Sequence, residues 1–306
     1  MMRATGSGAG RRAIVIGGGF IGRASAKALV DEGWTVDQVT RAPVPPVPHV
    51  RRHTMDFRTP EISDLLAGTE VLVFASGEML PAYVPDDFAA AYVEQVAPII
   101  TLAERAHAAG VKRALFVSSG GTVYGPRAAV PTHEDSPTDP NNAYGFLKLQ
   151  TEHALRFVGA RTGLSTVALR VANPYGPGQR TDRAFGFVST AFERALSGEE
   201  ISIWGNGETT RDFLYIDDLG CAIAAAAAKP TSAVMNIGSG REVSLNEVCA
   251  VVEQVTGRPV RRTYHPARAV DVPRSTLAIG RAWVELSWQP QVELADGLRR
   301  MLEART

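Results

Sequence analysis

Residues 13–22 read AIVIGGGFIG, an apolar run followed directly by three glycines and by the start of a helix-like segment. Gly17, Gly19 and Gly22 fit the pattern G-x-G-x-x-G, in which glycine permits a tight strand-to-helix turn and lets the backbone approach a pyrophosphate. The free N–H groups and the positive dipole end of the helix then face the negative charge. The sequence therefore predicts a dinucleotide-binding turn in preference to a purely structural one, with Phe20 and Ile21 at the start of the helix.

Short uninterrupted apolar runs recur in the first half of the chain, at residues 13–16, 71–75, 114–117 and 167–169. Runs of this length, rich in β-branched residues and not alternating with polar ones, indicate strands buried on both faces, as in a parallel sheet. Helical patterns lie between them, at residues 20–30, 86–109 and 141–157. Strands that alternate with helices predict the α/β class, with a doubly wound parallel sheet of the Rossmann-like kind.

The character of the chain changes after Asn173, where segments become shorter and richer in turn residues, as in NPYGPGQ and WGNGETTRDF. We therefore predict a dinucleotide-binding domain over residues 12–173 and a smaller C-terminal substrate-binding domain over residues 174–306. A helical stretch at 219–228 and a strand-like stretch at 234–237 could return to the first domain. Segments within 211–238 are therefore compatible with either domain.

Composition excludes several classes of protein. The chain has 306 residues, and its 32 Lys and Arg balance 32 Asp and Glu, so the formal net charge is zero and nucleic acid is not an expected partner. Two cysteines, Cys221 and Cys249, are too few for a disulfide framework and indicate a reducing compartment, so we predict a cytoplasmic location. The longest apolar stretch, residues 221–228, is too short for a membrane span, and residues 1–12 contain no apolar region of the kind a signal peptide needs, so no membrane association is expected.

The residue that ends the second strand distinguishes between cofactors, because NAD sites usually place an acidic residue there to accept from the ribose 2′-hydroxyl. Thr40 and Arg41 occupy that place here, whereas Asp37 lies earlier in the strand. A guanidinium can neutralise a 2′-phosphate and donate two hydrogen bonds to it. The predicted cofactor is therefore NAD(P), with NADP favoured over NAD; the alternative is that Arg41 is merely solvated.

Tyr144 and Lys148 form a Tyr-x-x-x-Lys pair on a predicted helix, where i,i+4 spacing places both side chains on one face. A free phenol has a pKa of about 10, and a nearby ammonium lowers that pKa by favouring the phenolate. The pair can therefore act as a proton-transfer device for an alcohol or carbonyl. The hydroxyl-rich run SSGGTVYG at 118–125 supports this reading over an ordinary buried tyrosine, because it begins where a predicted strand ends.

Other catalytic patterns are not supported. His49 and His53 have i,i+4 spacing, but they flank a proline-rich loop and lack the intervening glutamate of a zinc site, so no metal is predicted. The sequence also lacks a G-x-S-x-G nucleophile elbow.

An ordered series of motifs carries a specific resemblance to a known family: GGGFIG at 17–22, VFAS at 73–76, SSGGTVYG at 118–125, YGFLK at 144–148, LRVANPYGPGQ at 169–179, IWGNGETTRDFLYIDD at 203–218 and LSWQPQVELADGL at 286–298. Over nearly its whole length the chain resembles the NAD-dependent epimerase/dehydratase group of the extended short-chain dehydrogenases/reductases, typified by UDP-glucose 4-epimerases.

The resemblance implies roles for residues on the cofactor side. Tyr144 would be the catalytic base, and Lys148 its partner, which also holds the nicotinamide ribose. Asp56 and Phe57 would contact the adenine. The backbone platform beneath the cofactor's ribose and diphosphate would consist of Phe74, Ala75 and Ser76.

On the substrate side the resemblance implies a nucleotide-diphosphate sugar. Asn173, Arg211 and Arg268 would bind its diphosphate, for which guanidinium groups are well suited. Trp204 would hold the base, the alternative being a tryptophan packed in the core. The family also implies a homodimer through the helices predicted at 86–109 and 141–157.

The chain departs from the family pattern beside V-Y-G. The family's hydroxyl position falls on Gly120, so Ser119 or Thr122 would have to hydrogen-bond the substrate oxygen, and Thr122 is slightly favoured. The Asp-Glu pair of the family's sugar 4,6-dehydratases corresponds to Gly121 and Thr122 here, so dehydration would lack its acid and base.

The resemblance therefore implies an NAD(P)-dependent nucleotide-sugar 4-epimerase, with hydride transfer at C4 through a 4-keto intermediate and Tyr144 as acid and base. The alternative is an NADPH-dependent nucleotide-4-keto-sugar reductase, which would use the same residues in one direction and which Arg41 favours. A non-catalytic dinucleotide-sensing protein is a third possibility, disfavoured because a sensor has no use for the Tyr144–Lys148 pair.

Overall fold

The computed structural model describes residues 10–77, 79, 83–182, 186–268 and 272–305. Its strands, numbered along the chain, are β1 (Arg12–Ile16), β2 (Thr35–Thr40), β3 (Val50–Thr54), β4 (Val71–Phe74), β5 (Arg113–Ser119), β6 (Ser165–Val171), β7 (Asn173–Tyr175), β8 (Glu200–Trp204), β9 (Thr210–Arg211), β10 (Phe213–Tyr215), β11 (Val234–Ile237), β12 (Val243–Ser244) and β13 (Arg261–His265). Its helices are α1 (Phe20–Asp31), α2 (Ser63–Leu66), α3 (Phe88–Gln95), α4 (Ala97–Ala108), α5 (Ala143–Thr162), α6 (Phe187–Ser197), α7 (Ile216–Ala228), α8 (Leu245–Thr256), α9 (Gly280–Leu286) and α10 (Leu294–Glu303).

Seven of the described strands form one parallel sheet in the order β3-β2-β1-β4-β5-β6-β11. The chain adds strands in one direction from β1 to β3 and in the other direction from β4 to β6, so the order reverses between β1 and β4. Ligands of such sheets bind outside the carboxyl ends of the strands at this reversal. The predicted doubly wound α/β fold is confirmed, and the fold locates a candidate site.

Consecutive residues of the central strands enter two separate cores, one on each face of the sheet. Ala13 and Val15 pack with residues of α1 and α7, whereas Ile14 and Ile16 pack with residues of α4 and α5. These four side chains are almost completely inaccessible to solvent. Burial on both faces explains why the run is apolar throughout and does not alternate.

The C-terminal part of the chain contributes to the main sheet as well as to smaller ones. β11 pairs with β6 at the edge of the main sheet, and α7 packs against α1, so residues 216–228 and 234–237 join the N-terminal elements. Three two-stranded sheets, β7–β10, β9–β12 and β8–β13, lie outside the main sheet. The division into two domains at residue 173 stays a prediction.

Two predicted helices have different bounds in the structure. The stretch predicted as one helix at 86–109 forms α3 and α4, which meet at Val96 (φ −99°, ψ −51°). Pro98 lies in the first turn of α4, where its missing N–H costs nothing; inside a continuous helix its ring would clash with the carbonyl oxygen of Glu94. The helix predicted at 141–157 continues to Thr162 and ends at Gly163, whose φ of 85° is left-handed.

No helix in the described ranges combines the length and the apolar character that a bilayer span requires. The 20-residue helix α5 is long enough, but it carries charged side chains such as Lys148 and Glu152. The cytoplasmic location predicted from the cysteine content stays a prediction.

Candidate active site

The glycine turn between β1 and α1 lies where the strand order reverses. Gly17 has φ 123°, and a Cβ atom there would lie 2.6 Å from the carbonyl oxygen of Ala75, so β4 approaches too closely for a side chain. A Cβ atom at Gly19 would meet no atom of the described residues within 4 Å, and none of their side chains caps α1. The first turn of α1 consists of Phe20, Ile21 and Gly22. Open space before uncapped N–H groups fits a pyrophosphate.

The end of β2 carries the residues predicted to choose between NAD and NADP. Thr40 is buried, and its hydroxyl donates to the carbonyl oxygen of Ala42 (2.8 Å), whereas Arg41 is exposed. Hydrogen bonds from Arg58 hold the pKa of Asp56 below its usual range, and the nearby charge of Arg41 acts in the same direction. Arg41 and Asp56 follow the ends of two neighbouring strands, β2 and β3, and are close enough for their charges to interact.

Asp37, in the middle of β2, is held by cations on both neighbouring strands. Its buried carboxylate pairs with Arg51 (2.7 Å), Arg12 (3.1 Å) and Nε2 of His53 (2.8 Å). Burial acts to raise the pKa of Asp37, but the hydrogen bonds from Arg51, His53 and Arg12 outweigh it and lower the pKa. Asp37 is thus engaged within the protein, which agrees with its exclusion as a ribose ligand.

The described part of the chain contains no cluster of side chains that could form a metal site. Within the described ranges, no group of three or more His, Cys, Asp or Glu side chains is placed to hold a metal ion. His53 contacts Asp37, as described above, and the prediction of no metal stays a prediction.

A cleft opens at the carboxyl ends of β4 and β5. The side chain of Phe74 is fully buried in the core, and Phe57 packs against the same apolar cluster. The N–H of Ala75 donates to the carbonyl oxygen of Ile16 (2.9 Å), which ties the end of β4 to the glycine turn. The polar and aromatic side chains that line the cleft include Ser76, Gln95, Phe116, Tyr144 and Lys148.

Tyr144 and Lys148 lie in the first turns of α5. The side chain of Asn142 caps this helix by accepting from the N–H of Gly145 (2.8 Å). Nζ of Lys148 donates to the carbonyl oxygen of Val117 in β5 (2.8 Å) and lies 5.6 Å from the centroid of the Tyr144 ring. The strand therefore fixes the ammonium beside the phenol, and the structure brings the predicted pair together in the cleft.

Burial controls the charge of both groups. It raises the pKa of Tyr144 to about 12, and a hydrogen bond with Ser119 offsets this only in part. It lowers the pKa of Lys148 to about 8, against the opposing effect of the Glu152 charge. The expectation of a lowered Tyr144 pKa is therefore wrong for the protein alone, because burial of the phenol disfavours the charged phenolate. At neutral pH the phenol holds its proton and the amine is mostly charged.

Two hydroxyl groups flank Gly120. Ser119 hydrogen-bonds the phenol of Tyr144, whereas Oγ1 of Thr122 is buried and finds no hydrogen-bond partner in the part of the chain that the structure describes. A Cβ atom at Gly120 would lie 2.5 Å from Cδ1 of Leu277 and 3.1 Å from the carbonyl oxygen of Arg170, so a side chain there would displace Leu277. The hydrogen bond places Ser119 beside the phenol, and the choice between Ser119 and Thr122 as the hydroxyl that contacts the substrate oxygen stays a prediction.

Two of the three residues predicted to bind a diphosphate, Asn173 on β7 and Arg211 on β9, lie on the short strands outside the main sheet. The side-chain amide of Asn173 donates to the carbonyl oxygen of Asp212 (2.9 Å). Arg211 donates to the carbonyl oxygen of Val272 (2.7 Å). Asn173 and Arg211 are thus brought together through the segment 211–212, although they are 38 positions apart in the sequence.

Trp204 ends β8 and is 36% exposed, which rules out the alternative of a tryptophan packed in the core. Its indole ring stacks on the ring of His265, with centroids 5.4 Å apart and an interplanar angle of 26°. Cζ of Arg268 lies 3.5 Å from the indole centroid. The side chains predicted to hold a base and a diphosphate are therefore in direct contact.

Sequence reasoning missed two buried acids. Asp212 accepts hydrogen bonds from the N–H (2.6 Å) and hydroxyl (2.7 Å) of Ser239 and from the N–H of Leu277 (3.2 Å), and burial raises its pKa. Because Asp212 follows Arg211 in the sequence, these hydrogen bonds hold Arg211 near the segments that contain Ser239 and Leu277. Glu152 pairs with Arg170 (2.8 Å). The available signal for Glu152 was its position four residues after Lys148, on the same helix face.

Comparisons with known proteins identify similar chains. Residues 13–238 match the NAD dependent epimerase/dehydratase family. The chain is 36% identical to a UDP-glucose 4-epimerase of Mycolicibacterium smegmatis over 67% of this chain and 66% of that protein. It is 32% identical to a dTDP-4-dehydro-6-deoxyglucose reductase of Escherichia coli over 64% and 62% of the two chains. Both alignments therefore cover slightly less than two thirds of the relative.

Similarity to a solved structure extends further along the chain. A crystal structure of a UDP-glucose 4-epimerase from Thermotoga maritima with UDP-glucose matches with a TM-score of 0.88 and 31% sequence identity. The match covers 95% of this chain and 97% of that one.

Proposed function

The chain belongs to the NAD dependent epimerase/dehydratase family and is an enzyme of the extended short-chain dehydrogenase/reductase type, and from this premise we propose that it is a nucleotide-sugar 4-epimerase. The observation that carries the proposal is the fixed Tyr144–Lys148 pair, with Ser119 on the phenol, in a cleft beside the glycine turn. The names of the similar proteins support a nucleotide-diphosphate sugar as the substrate class.

The proposed reaction moves a proton and a hydride at C4 of the sugar. When bound, an oxidised nicotinamide supplies the hydride acceptor and a positive charge. The phenol of Tyr144 would have its pKa lowered by the positive charges of the bound nicotinamide and of Lys148, so that it gives up its own proton to solvent. The phenolate then takes the proton of the C4 hydroxyl and returns it after the 4-keto sugar has turned its other face. Lys148, held by the carbonyl oxygen of Val117, keeps a positive charge beside the phenol. Ser119 orients the phenol through its hydrogen bond.

The buried hydroxyl of Thr122 supports a second polar contact to the sugar, because a buried donor without a partner costs stability unless a ligand satisfies it. Arg211 and Arg268 remain the proposed diphosphate ligands, together with Asn173. Trp204 remains the proposed base contact, since its indole ring is partly exposed; a base that stacks on it would replace Arg268 or His265, which contact the ring.

The test of the proposed function uses the full chain and needs no added reductant. Incubation with UDP-glucose and with several other sugar nucleotides should interconvert one of them with its C4 epimer, detected by chromatography or NMR. Stoichiometric consumption of NADPH with a nucleotide-4-keto sugar, without epimer formation, would instead establish the reductase.

The reductase is retained as a second candidate because two observations favour it. A phenol with a pKa raised to about 12 is protonated at neutral pH, as a group that donates a proton to a ketone oxygen must be. Exposed Arg41 at the end of β2 is suited to a 2′-phosphate. A reductase draws on an external NADPH pool, whereas an epimerase regenerates its own cofactor.

We propose that the dinucleotide is NADP in preference to NAD. Arg41→Ala should weaken NADP binding by roughly 10- to 100-fold, because one or two hydrogen bonds to a charged group are lost. NAD binding should change little. Isothermal titration of both dinucleotides measures this, with exposed Arg156→Ala on α5 as the matched control. Equal weakening of NAD and NADP binding would refute the preference.

We also propose a homodimer through α3 and α5, as the family resemblance implied. Apolar side chains on these helices are exposed: Val93 and Phe157 are each 62% exposed, and the rings of Phe88 and Phe146 pack edge to face at 5.5 Å. Exposed apolar patches of this kind are typical of protein interfaces.

Val93→Glu should raise the dissociation constant of this dimer by about 100-fold or more, because an unpaired carboxylate would be buried in the interface. Sedimentation velocity measures the change. Val284→Glu is the matched control, since Val284 is 75% exposed on α9, outside the proposed interface. The proposal would be contradicted if the wild-type chain were monomeric, or if Val93→Glu left the dissociation constant of the dimer unchanged.

A further inference from the structure

A carboxylate lies behind the proton-transfer pair and has no part in the reaction described above. Tyr144, Lys148 and Glu152 recur every four residues along α5, which places them on one face of the helix. Glu152 is buried, with 4% of its surface exposed. A buried charge so close to a reacting group affects the charge state of that group.

The neighbouring strands hold this carboxylate. Arg170, on β6, donates to it through Nε (3.1 and 3.2 Å) and Nη2 (2.8 Å), and the hydroxyl of Ser118, on β5, donates to Oε1. Ser118 and Arg170 lie opposite each other in the β5–β6 pairing. Buried ion pairs are weak sources of stability, because desolvation of both charges offsets their attraction. A contribution to the stability of the fold therefore does not by itself account for the buried Glu152–Arg170 ion pair.

Lys148 has few neighbours that could stabilise its charge. Nζ donates to Val117 and lies 4.7 Å from the centroid of the Phe116 ring. Among the described residues, the titratable groups that face Lys148 are Tyr144 and Glu152 of its own helix. The elements opposite present side chains that do not titrate: Ser76, Gln95 and Phe116.

The charges beyond Glu152 belong to three further segments. Cζ of Arg170 lies 4.7 Å from the centroid of the Tyr124 ring, and its Nη1 donates to the carbonyl oxygen of Glu134 (3.3 Å). The carboxylate of Glu134 is 4.0 Å from Arg281. Arg170 is therefore the cation in direct contact with Glu152, on the side of the carboxylate that the strands cover.

We propose that Glu152 is a positioning residue that keeps Lys148 protonated, and that Arg170 limits how strongly it does so. The inference rests on the proposed function for its role in catalysis, but the charge state concerns the folded protein alone. Burial drives Lys148 towards the neutral amine, and the charge of Glu152 acts against this. A neutral Lys148 would offer no charge to a phenolate, so Glu152 extends the pH range in which the pair can work.

Removing the charge of Glu152 and removing the charge of Arg170 should shift the pKa of Lys148 in opposite directions. This contrast separates an electrostatic role of Glu152 from a structural one. Glu152→Gln removes the negative charge, so Lys148 should lose its proton about one pH unit lower than in the wild type. Arg170→Gln leaves the Glu152 carboxylate unopposed, so Lys148 should keep its proton to a pH about one unit higher. A general loosening of the site would move both variants in the same direction.

The experiment is a titration of Lys148 in the full chain. The sequence contains four lysines, at positions 27, 112, 148 and 229, so reductive methylation with carbon-13 formaldehyde gives few lysine resonances by NMR. Lys148→Arg assigns the resonance, and Lys112, remote from Glu152 in sequence and paired with Glu70, serves as the internal control. Glu152→Asp and Arg170→Lys keep the charges and should restore the wild-type midpoint.

Opposite shifts of the Lys148 midpoint support the inference, and shifts of the same sign or an unmoved midpoint overturn it. If Arg170→Gln does not fold, the contrast of Glu152→Gln with Glu152→Asp decides. The titration requires no turnover, so its outcome stands even if no epimerase or reductase activity is found. An inactive enzyme whose Lys148 midpoint moves as expected would overturn the proposed function alone.

Discussion

Tyr144→Phe is expected to lower the turnover number by about 10²- to 10⁴-fold, the usual contribution of one positioned acid or base. Phenylalanine keeps the ring that packs beside Lys148, but removes the hydroxyl that Ser119 contacts and that would exchange the proton at C4. The affinity for the dinucleotide should persist, because the glycine turn and the end of β2 are untouched. Steady-state kinetics on the active sugar nucleotide and titration of the dinucleotide measure the two quantities.

Tyr175→Phe is the matched control for this prediction. Its hydroxyl donates to the carbonyl oxygen of Leu294 (3.4 Å) in the core, away from the cleft. Loss of this hydrogen bond should cost about 1 kcal/mol of stability or less and leave turnover intact. Wild-type turnover by Tyr144→Phe would remove the phenol from the mechanism. Equal losses in both variants would point to general destabilisation.

The architecture was predictable because the strands that build it are buried on both faces. Ala13 and Val15 meet one core and Ile14 and Ile16 the other, so an apolar residue is required at each position. The glycine turn was equally predictable from the sequence, since the close approach of Ala75 leaves no room for a side chain at Gly17 and so requires glycine there. Both requirements fix the residue type at consecutive positions and so leave a recognisable pattern in the sequence, even where the cause, as at Gly17, is the approach of a distant segment.

Features that depend on contacts between distant segments were not predictable. Apolar spacing continues on both sides of Val96, so periodicity alone could not show that the chain breaks there into α3 and α4. The pairing of Glu152 with Arg170 depends on the register of β5 against β6. The raised pKa of Tyr144 results from burial of its phenol, which depends on how distant segments pack around α5.

Gly17→Ala should lower the free energy of unfolding by about 2 to 6 kcal/mol. A side chain at φ 123° is strained by about 1–3 kcal/mol, and overpacking against the carbonyl oxygen of Ala75 adds about as much. Chemical denaturation without dinucleotide measures the loss. Dinucleotide binding should weaken as well, because the turn that presents the N-terminus of α1 is displaced.

Gly19→Ala separates the two roles of the turn, and so provides the control. Gly19 has φ −71° and ψ −170°, an extended conformation open to any residue, and its Cβ would meet no described atom within 4 Å. Stability should therefore stay within about 0.5 kcal/mol of the wild type. The methyl group would instead stand in the space through which a pyrophosphate approaches the helix, so the dinucleotide affinity should fall by about tenfold or more. A Gly19→Ala variant that binds the dinucleotide like the wild type would show that this space belongs to no ligand. Loss of binding without loss of stability would identify it as the pyrophosphate site.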